Sequence, residues 1–138
     1  MISFHLNVNP VAWQRARRCG NRYFTHQDSA RFKNDIQSII LRRKELFSEF
    51  FNEAISLEVK FVFDRPKSVR RVFMTARPDI DNYLKALFDA FNGIVYKDDS
   101  QIVQLKASKE YKDTTSLKTG IYVKLTKLEV QNAANLHG

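Results

Sequence analysis

The chain has 138 residues, 43% of them hydrophobic and eleven of them Phe, which is enough for one domain with a packed core. Lys and Arg number 23 against 15 Asp and Glu, and the formal net charge of +8 favours a polyanionic partner, nucleic acid before an acidic membrane surface. The single Cys19 excludes an intramolecular disulfide and a cysteine zinc cluster, and the lack of a signal sequence or a long apolar run predicts a cytoplasmic protein outside the membrane.

The first half of the chain predicts a strand, a cationic loop and a long helix. Residues 2–8 alternate apolar and polar side chains, which is the period of a half-buried strand. The polar segment 14–22 that follows is rich in arginine and includes Arg15 and Arg17. Apolar residues at helical spacing then predict a helix over residues 28–50, with a capping Asp or Ser at its start.

The second half predicts a strand, a second helix and two further strands. Residues 55–63 alternate most clearly, with apolar side chains on one face and polar side chains on the other. After a basic loop, the apolar stripe of residues 80–91 predicts a helix that begins beyond Pro78. An acidic turn follows, and two alternating segments predict the last strands at 103–107 and 121–125.

The order of these elements predicts the fold class. The succession β-α-β-α-β-β is typical of a single α+β domain, in which a mixed sheet carries both helices packed on one face. The domain is expected to occupy residues 1–130, and the polar residues 131–138 to form a frayed tail. No internal repeat or interdomain linker interrupts the sequence.

Acidic residues stand at both ends of the second predicted helix. Asp79 and Asp81 flank its first residue, Ile80, and their carboxylates can converge if Asp79 precedes the first helical turn. Helix N-termini favour carboxylates, so capping is an alternative explanation for both acids. Asp98 and Asp99 follow the helix, and carboxylates clustered on a cationic chain repel one another unless a cation such as Mg²⁺ holds them.

Two cationic residues adjoin these acids. Lys85 lies four residues after Asp81, where it could stabilise a leaving oxygen or form only an i,i+4 ion pair. Arg77 directly precedes Pro78 and Asp79 and could hold a phosphate beside a metal ion. A divalent cation bound by such acids polarises a phosphodiester and activates water. The residues by themselves leave a metal-dependent nuclease and a nucleic-acid-binding module with structural acids equally open.

The segment 77–101 closely resembles the RusA family of Holliday junction resolvases. The similarity rests on an Asp-x-Asp-Asn helix start at Asp79, a Lys four residues beyond the second Asp, a Phe-Asp-Ala helix body and an Asp-Asp-x-Gln turn. Arg15 and Arg17 match an arginine element of the family, although Ala16 stands where its members usually have Pro.

The resemblance implies an Mg²⁺-dependent endonuclease that resolves four-way or other branched DNA by symmetric cleavage, in DNA recombination and repair. It assigns metal binding and catalysis to three acids, and catalysis also to one lysine: Asp79, Asp81, Asp99 and Lys85. It implies DNA contacts for Arg15, Arg17 and Lys109, which stands where family members often carry a Lys, and Arg77 joins them as the residue expected from its position to hold a phosphate. Asp98 is the less favoured acid of its pair. The alternative function is a catalytically silent protein that binds branched nucleic acid.

The same resemblance implies a homodimer. Symmetric cleavage of a four-way junction needs two active sites related by a two-fold axis, and C2 is the commonest oligomer symmetry. The eleven Phe exceed what a core of two helices and four strands obviously needs, so the segments 47–51 and 73–74 are candidates for the dimer contact. Core packing is the alternative role for each of these residues.

Overall fold

The computed structural model describes residues 1–13, 17–19, 22–24, 27–113 and 118–129, with the backbone alone for residues 17–19, 22–24 and 27. Within these residues the chain forms six strands and two α-helices: β1 (Ile2–Leu6), β2 (Arg17–Cys19), β3 (Arg22–Phe24), α1 (Gln27–Leu41), β4 (Ala54–Phe63), α2 (Ile80–Phe91), β5 (Ile102–Tyr111) and β6 (Gly120–Leu128). Two 3₁₀ helices, Lys44–Phe50 and Asp99–Gln101, precede β4 and β5. No helix in the described ranges has both the length and the apolarity needed to cross a bilayer.

Four of the strands form one mixed sheet, in the spatial order β1-β6-β4-β5. β6 pairs antiparallel with β1 and with β4, whereas β4 and β5 run parallel. Parallel neighbours need a crossover connection between them, and α2 lies within that connection. The short strands β2 and β3 form a separate antiparallel hairpin. The predicted α+β class with a mixed sheet is therefore confirmed.

The hydrophobic core lies between one face of the sheet and the two α-helices. The inward-facing residues of β4 belong to one apolar cluster with Ile36 of α1 and Leu87 of α2. Glu58 and Lys60 alternate with those inward-facing residues and remain exposed on the opposite sheet face. The period-two pattern of the sequence thus places the apolar side chains of β4 under the helices, as predicted.

Two regions differ from the elements predicted from sequence. The helix expected over residues 28–50 ends at Leu41, and the 3₁₀ helix Lys44–Phe50 follows after a short turn. Apolar residues three apart share a face in a 3₁₀ helix too, so the spacing alone did not separate the two helix types. The cationic segment expected to be a loop contains the β2–β3 hairpin.

Several Phe side chains considered for a dimer contact are part of the core instead. Phe47 is 4% exposed and Phe50 is 0% exposed, and both pack in the main apolar cluster. Phe73 differs because it is 60% exposed and pairs with Glu110 at the outer edge of β5. Core packing therefore accounts for Phe47 and Phe50, while Phe73 remains a surface residue.

Candidate active site

Asp79 and Asp81 lie where α2 begins. Asp79 is the N-cap residue with extended backbone, and Asp81 stands in the first helical turn. The Asp79 side chain makes no capping hydrogen bond, and its carbonyl accepts from the Asn82 amide at 3.1 Å. Both side chains are exposed, and neither carboxylate has a partner within the described residues. Capping therefore does not occupy the Asp79 carboxylate, and both acids are available to a ligand.

Lys109 holds the segment that leads into α2. Its Nζ donates to the Ala76 carbonyl at 2.8 Å and to the Pro78 carbonyl at 2.7 Å. The ammonium therefore ties β5 to the residues just before Asp79. Arg77 lies between these two acceptor residues in the sequence and has an exposed side chain. DNA contacts by Lys109 and Arg77 stay predictions.

Lys85 lies one helical turn after Asp81 and rests on an aromatic ring. Its Nζ is 3.5 Å from the centroid of the Trp13 indole, which is a cation–π contact. In the part of the chain that the structure describes, Lys85 forms no ion pair with Asp81. The i,i+4 ion pair considered from the sequence is therefore replaced by a contact with a residue far away along the chain.

Asp99 lies at the opposite end of α2. Its Oδ2 accepts from the side-chain amide of Asn92, the C-cap residue of α2, at 3.4 Å. The 12 residues of the helix separate this point from Asp79, a rise of about 18 Å. Across the described ranges, no three acidic, His or Cys side chains are grouped closely enough to hold one metal ion. Within one chain, Asp79 and Asp81 therefore lie at one end of α2 and Asp99 at the other.

Most of the chain, including the predicted site residues, matches a known family. Residues 7–126 match the family described as endodeoxyribonuclease RusA, and this range includes the acids, Lys85 and Lys109. The chain belongs to the RusA endodeoxyribonuclease family. A RusA chain is an endodeoxyribonuclease, which confirms the resemblance and the nuclease class predicted from the sequence. The chain is also 34% identical to a Bacillus subtilis (strain 168) protein described as uncharacterized protein YqaN, over 81% of this chain and 89% of that protein.

In this RusA chain the acidic turn before β5 is closed by a capping box. Asp98 accepts from the Ser100 amide at 3.1 Å, and the Gln101 side-chain oxygen accepts from the Asp98 amide at 2.9 Å. Hydrogen bonds from Ser100 hold the pKa of Asp98 below its ordinary range. The Gln101 amide also donates to the Phe50 and Glu53 carbonyls. Asp98 is therefore engaged in folding the turn that presents the adjacent acid.

A buried tyrosine lies beneath the same turn of the RusA domain. Tyr96 is 0% exposed, and its hydroxyl has no hydrogen-bond partner among the described residues. Burial, and then the charges of Asp99, Asp98 and Asp89, raise the pKa of the Tyr96 phenol. The phenol therefore stays protonated and adds no negative charge to this acidic end of α2.

The N-terminal arginine element of the RusA domain is only partly described. Arg15 lies outside the described residues, and Arg17 opens β2, for which the backbone alone is described. The expected tail, residues 131–138, also lies outside them. DNA contacts by Arg15 and Arg17 stay predictions. Sequence reasoning did not find Trp13 as a neighbour of Lys85, because no local pattern reports a contact between distant segments.

Proposed function

We propose that this RusA-family chain is a Mg²⁺-dependent nuclease that resolves four-way DNA junctions by symmetric cleavage of two phosphodiesters. The observation that supports this most strongly is the pair of exposed carboxylates, Asp79 and Asp81, at the start of α2 without a capping or ion-pair role among the described residues. Carboxylate oxygens with retained waters are the ligands that Mg²⁺ prefers. The formal net charge of +8 favours binding to the DNA backbone.

Each side chain near the start of α2 has a distinct proposed role. Asp79 and Asp81 hold the cation, which when bound polarises the phosphodiester and lowers the pKa of water. Lys85 neutralises negative charge that develops on the phosphate or on the leaving oxygen. Arg77, exposed just before the acids, contacts a neighbouring phosphate of the same strand. The basic residues thus balance a site that would otherwise repel DNA.

The outer edge of β5 is the surface through which we propose that two chains associate. Over residues 102–108 this edge has no strand partner within the described residues, since β4 lies on its other side. Val103 is 61% exposed and Leu105 is 47% exposed along it. An unpaired strand edge with exposed apolar side chains is a template for pairing with another strand.

Antiparallel pairing of two β5 strands would bring Asp99 of one chain toward Asp79 and Asp81 of the other. β5 begins beside Asp99, and further along it Lys109 reaches the segment before Asp79. A two-fold axis through the middle of β5 reverses the second strand, so that Asp99 of the second copy lies toward Asp79 and Asp81 of the first. Each site then draws acids from both chains, and the same axis matches the two equivalent cuts in a junction.

The nuclease proposal is tested with a labelled four-way junction and a linear duplex of the same arms. We expect cleavage of the junction in Mg²⁺ and none in EDTA. Asp79→Asn and Asp81→Asn lose cleavage by about 10²-fold or more, yet bind the junction as well as or better than wild type, because a charge facing phosphate is removed. Asp35→Asn, an exposed acid of α1, is the matched control.

Two results would contradict this function. Loss of junction binding in parallel with loss of cleavage would make Asp79 and Asp81 structural residues. Retarded but uncut junctions with the wild-type chain, over a range of divalent metals and junction sequences, would favour the catalytically silent binding protein instead.

A further inference from the structure

Trp13 links the segment after β1 to the start of α2. Its backbone amide donates to the Asn82 carbonyl at 2.9 Å, and its half-buried indole packs against the main core. Lys85 Nζ lies 3.5 Å from the ring centroid. The indole is therefore fixed by backbone and core contacts, and one of its faces receives the ammonium.

The Lys85 ammonium has two possible partners, the Asp81 carboxylate and the Trp13 indole. Asp81 precedes Lys85 by four residues, the spacing at which acidic and basic side chains pair on a helix surface. Such a pair would occupy a carboxylate that the proposed function assigns to the metal. Among aromatic rings, indole attracts cations most strongly. In the structure the Lys85 ammonium lies over the Trp13 indole. Lys85 remains exposed, so its outward N–H donors can reach a phosphate oxygen.

We propose that Trp13 is a positioning residue of the nuclease site, whose indole keeps the Lys85 ammonium off the Asp81 carboxylate and holds it toward the DNA. The inference rests on the proposed function, because it assumes that Asp81 binds metal and that Lys85 acts on phosphate. Trp13 thereby serves two groups at once: the acid stays open to the cation, and the lysine is preorganised for the substrate.

The contact itself is tested by fluorescence, since Trp13 is the only tryptophan of the chain. We expect Lys85→Met to change the emission spectrum of the full-length protein without DNA or metal. Lys33→Met, which removes an exposed lysine of α1, is expected to leave the spectrum unchanged. An unchanged spectrum in Lys85→Met would overturn the proposal, because the ammonium would then not lie on the ring.

The effect on the acid is tested by Mn²⁺ binding, measured by titration calorimetry. We expect Trp13→Leu to weaken Mn²⁺ binding about three- to tenfold, and Trp13→Leu with Lys85→Met to return it to the level of Lys85→Met alone. Trp13→Phe, which keeps an aromatic face, is expected to lie close to wild type. Equal Mn²⁺ affinity in the wild type and all four variants would overturn the proposal.

Cleavage kinetics complete the test. We expect Trp13→Leu to lower kcat on a four-way junction about three- to tenfold with little change in KM, and Trp13→Phe to recover most of the loss. Equal losses in Trp13→Phe and Trp13→Leu would assign Trp13 a packing role and overturn the proposal. If the wild-type chain cuts no DNA, the proposed function fails, while fluorescence and Mn²⁺ binding still decide the role of Trp13.

Discussion

At the scale of single residues, Lys109 shows how a basic residue near the proposed DNA site can act on the protein itself. We expect Lys109→Met, which keeps the aliphatic stem and removes both hydrogen bonds, to lower the free energy of unfolding by about 1–3 kcal/mol. The reason is that the carbonyls of Ala76 and Pro78 lose a charged donor. Urea denaturation measures the change.

Lys60→Met is the control, because Lys60 is exposed on the neighbouring strand β4, outside the proposed interface between two chains. It is expected to change stability by less than about 0.5 kcal/mol. A DNA contact by Lys109 would give a different signature, in which stability is unchanged and the salt dependence of junction binding falls by about one phosphate contact. That result would contradict the structural role.

Asp98 provides a pH-dependent prediction. Hydrogen bonds from Ser100 hold its pKa below the ordinary value of 3.8, so the ionised cap stabilises the fold above that value. This stabilisation is lost as the pH falls through the lowered pKa. We therefore expect Asp98→Asn to be less stable than wild type at neutral pH, with a difference that shrinks in acid. Thermal unfolding at neutral and acidic pH measures it, and a constant difference would contradict the argument.

Some of these residues were predictable from sequence and others were not. The two acids at the start of α2 were placed correctly, because Pro78 and the following apolar stripe locate a helix start by local rules. The separation of Asp99 from them was not predictable, since it depends on how β5 packs along α2. The DNA contact of Lys109, predicted from the family resemblance, stays a prediction, whereas its two carbonyl partners were not predictable because sequence alone does not show them.

At the scale of secondary structure, elements with a clear period were predicted best. The apolar stripe expected over residues 80–91 coincides with α2, and the alternating segment 55–63 lies within β4. The β2–β3 hairpin was missed because its three-residue strands are too short and too cationic to show alternation. Boundaries such as the end of α1 depend on the turn that follows, which apolar spacing does not encode.

The start of β6 carries a prediction about backbone geometry. Gly120 has a φ of +141°, and an added Cβ would lie 2.5 Å from the Leu6 carbonyl oxygen and against the His5 ring. We expect Gly120→Ala to lower the free energy of unfolding by at least about 2 kcal/mol, from backbone strain and from crowding against β1. Chemical denaturation measures the loss.

Gly93→Ala is the control for backbone strain alone. Gly93 also has a positive φ, of +79°, but no atom lies within 4 Å of the position that a Cβ would take. Its substitution is expected to cost about 1 kcal/mol. Equal losses in the two variants would show that contact with β1 adds nothing at Gly120.

At the scale of the whole molecule, the proposed β5 interface predicts the oligomeric state. We expect sedimentation equilibrium at micromolar concentration to give twice the mass of one chain. Leu105→Lys, which places a charge on the unpaired edge, is expected to reduce that mass to one chain and to abolish junction cleavage. Leu46→Lys is the control, because Leu46 is 44% exposed on the 3₁₀ helix Lys44–Phe50, away from this edge. A wild-type monomer with full activity would contradict the dimer.

Mixing two inactive variants distinguishes an active site shared between two chains from an active site formed within each chain. Asp79→Asn and Asp99→Asn are each expected to be inactive. In a mixed dimer one site combines both substituted residues, while the other has Asp79 and Asp99 intact, each from a different chain. An equal mixture should therefore regain the ability to nick one strand of the junction. If all three acids acted within one chain, mixing would restore nothing.

The place of β6 in the sheet has a consequence for the synthesis of the protein. β1 is made first, yet its only strand partner in the described sheet is β6, which lies between β1 and β4. A nascent chain that has not yet extended through residue 128 therefore cannot complete the sheet that supports α2. Contacts of such long sequence separation form late and slowly. We therefore expect the growing polypeptide to cut DNA only after β6 has left the ribosome and paired with β1 and β4.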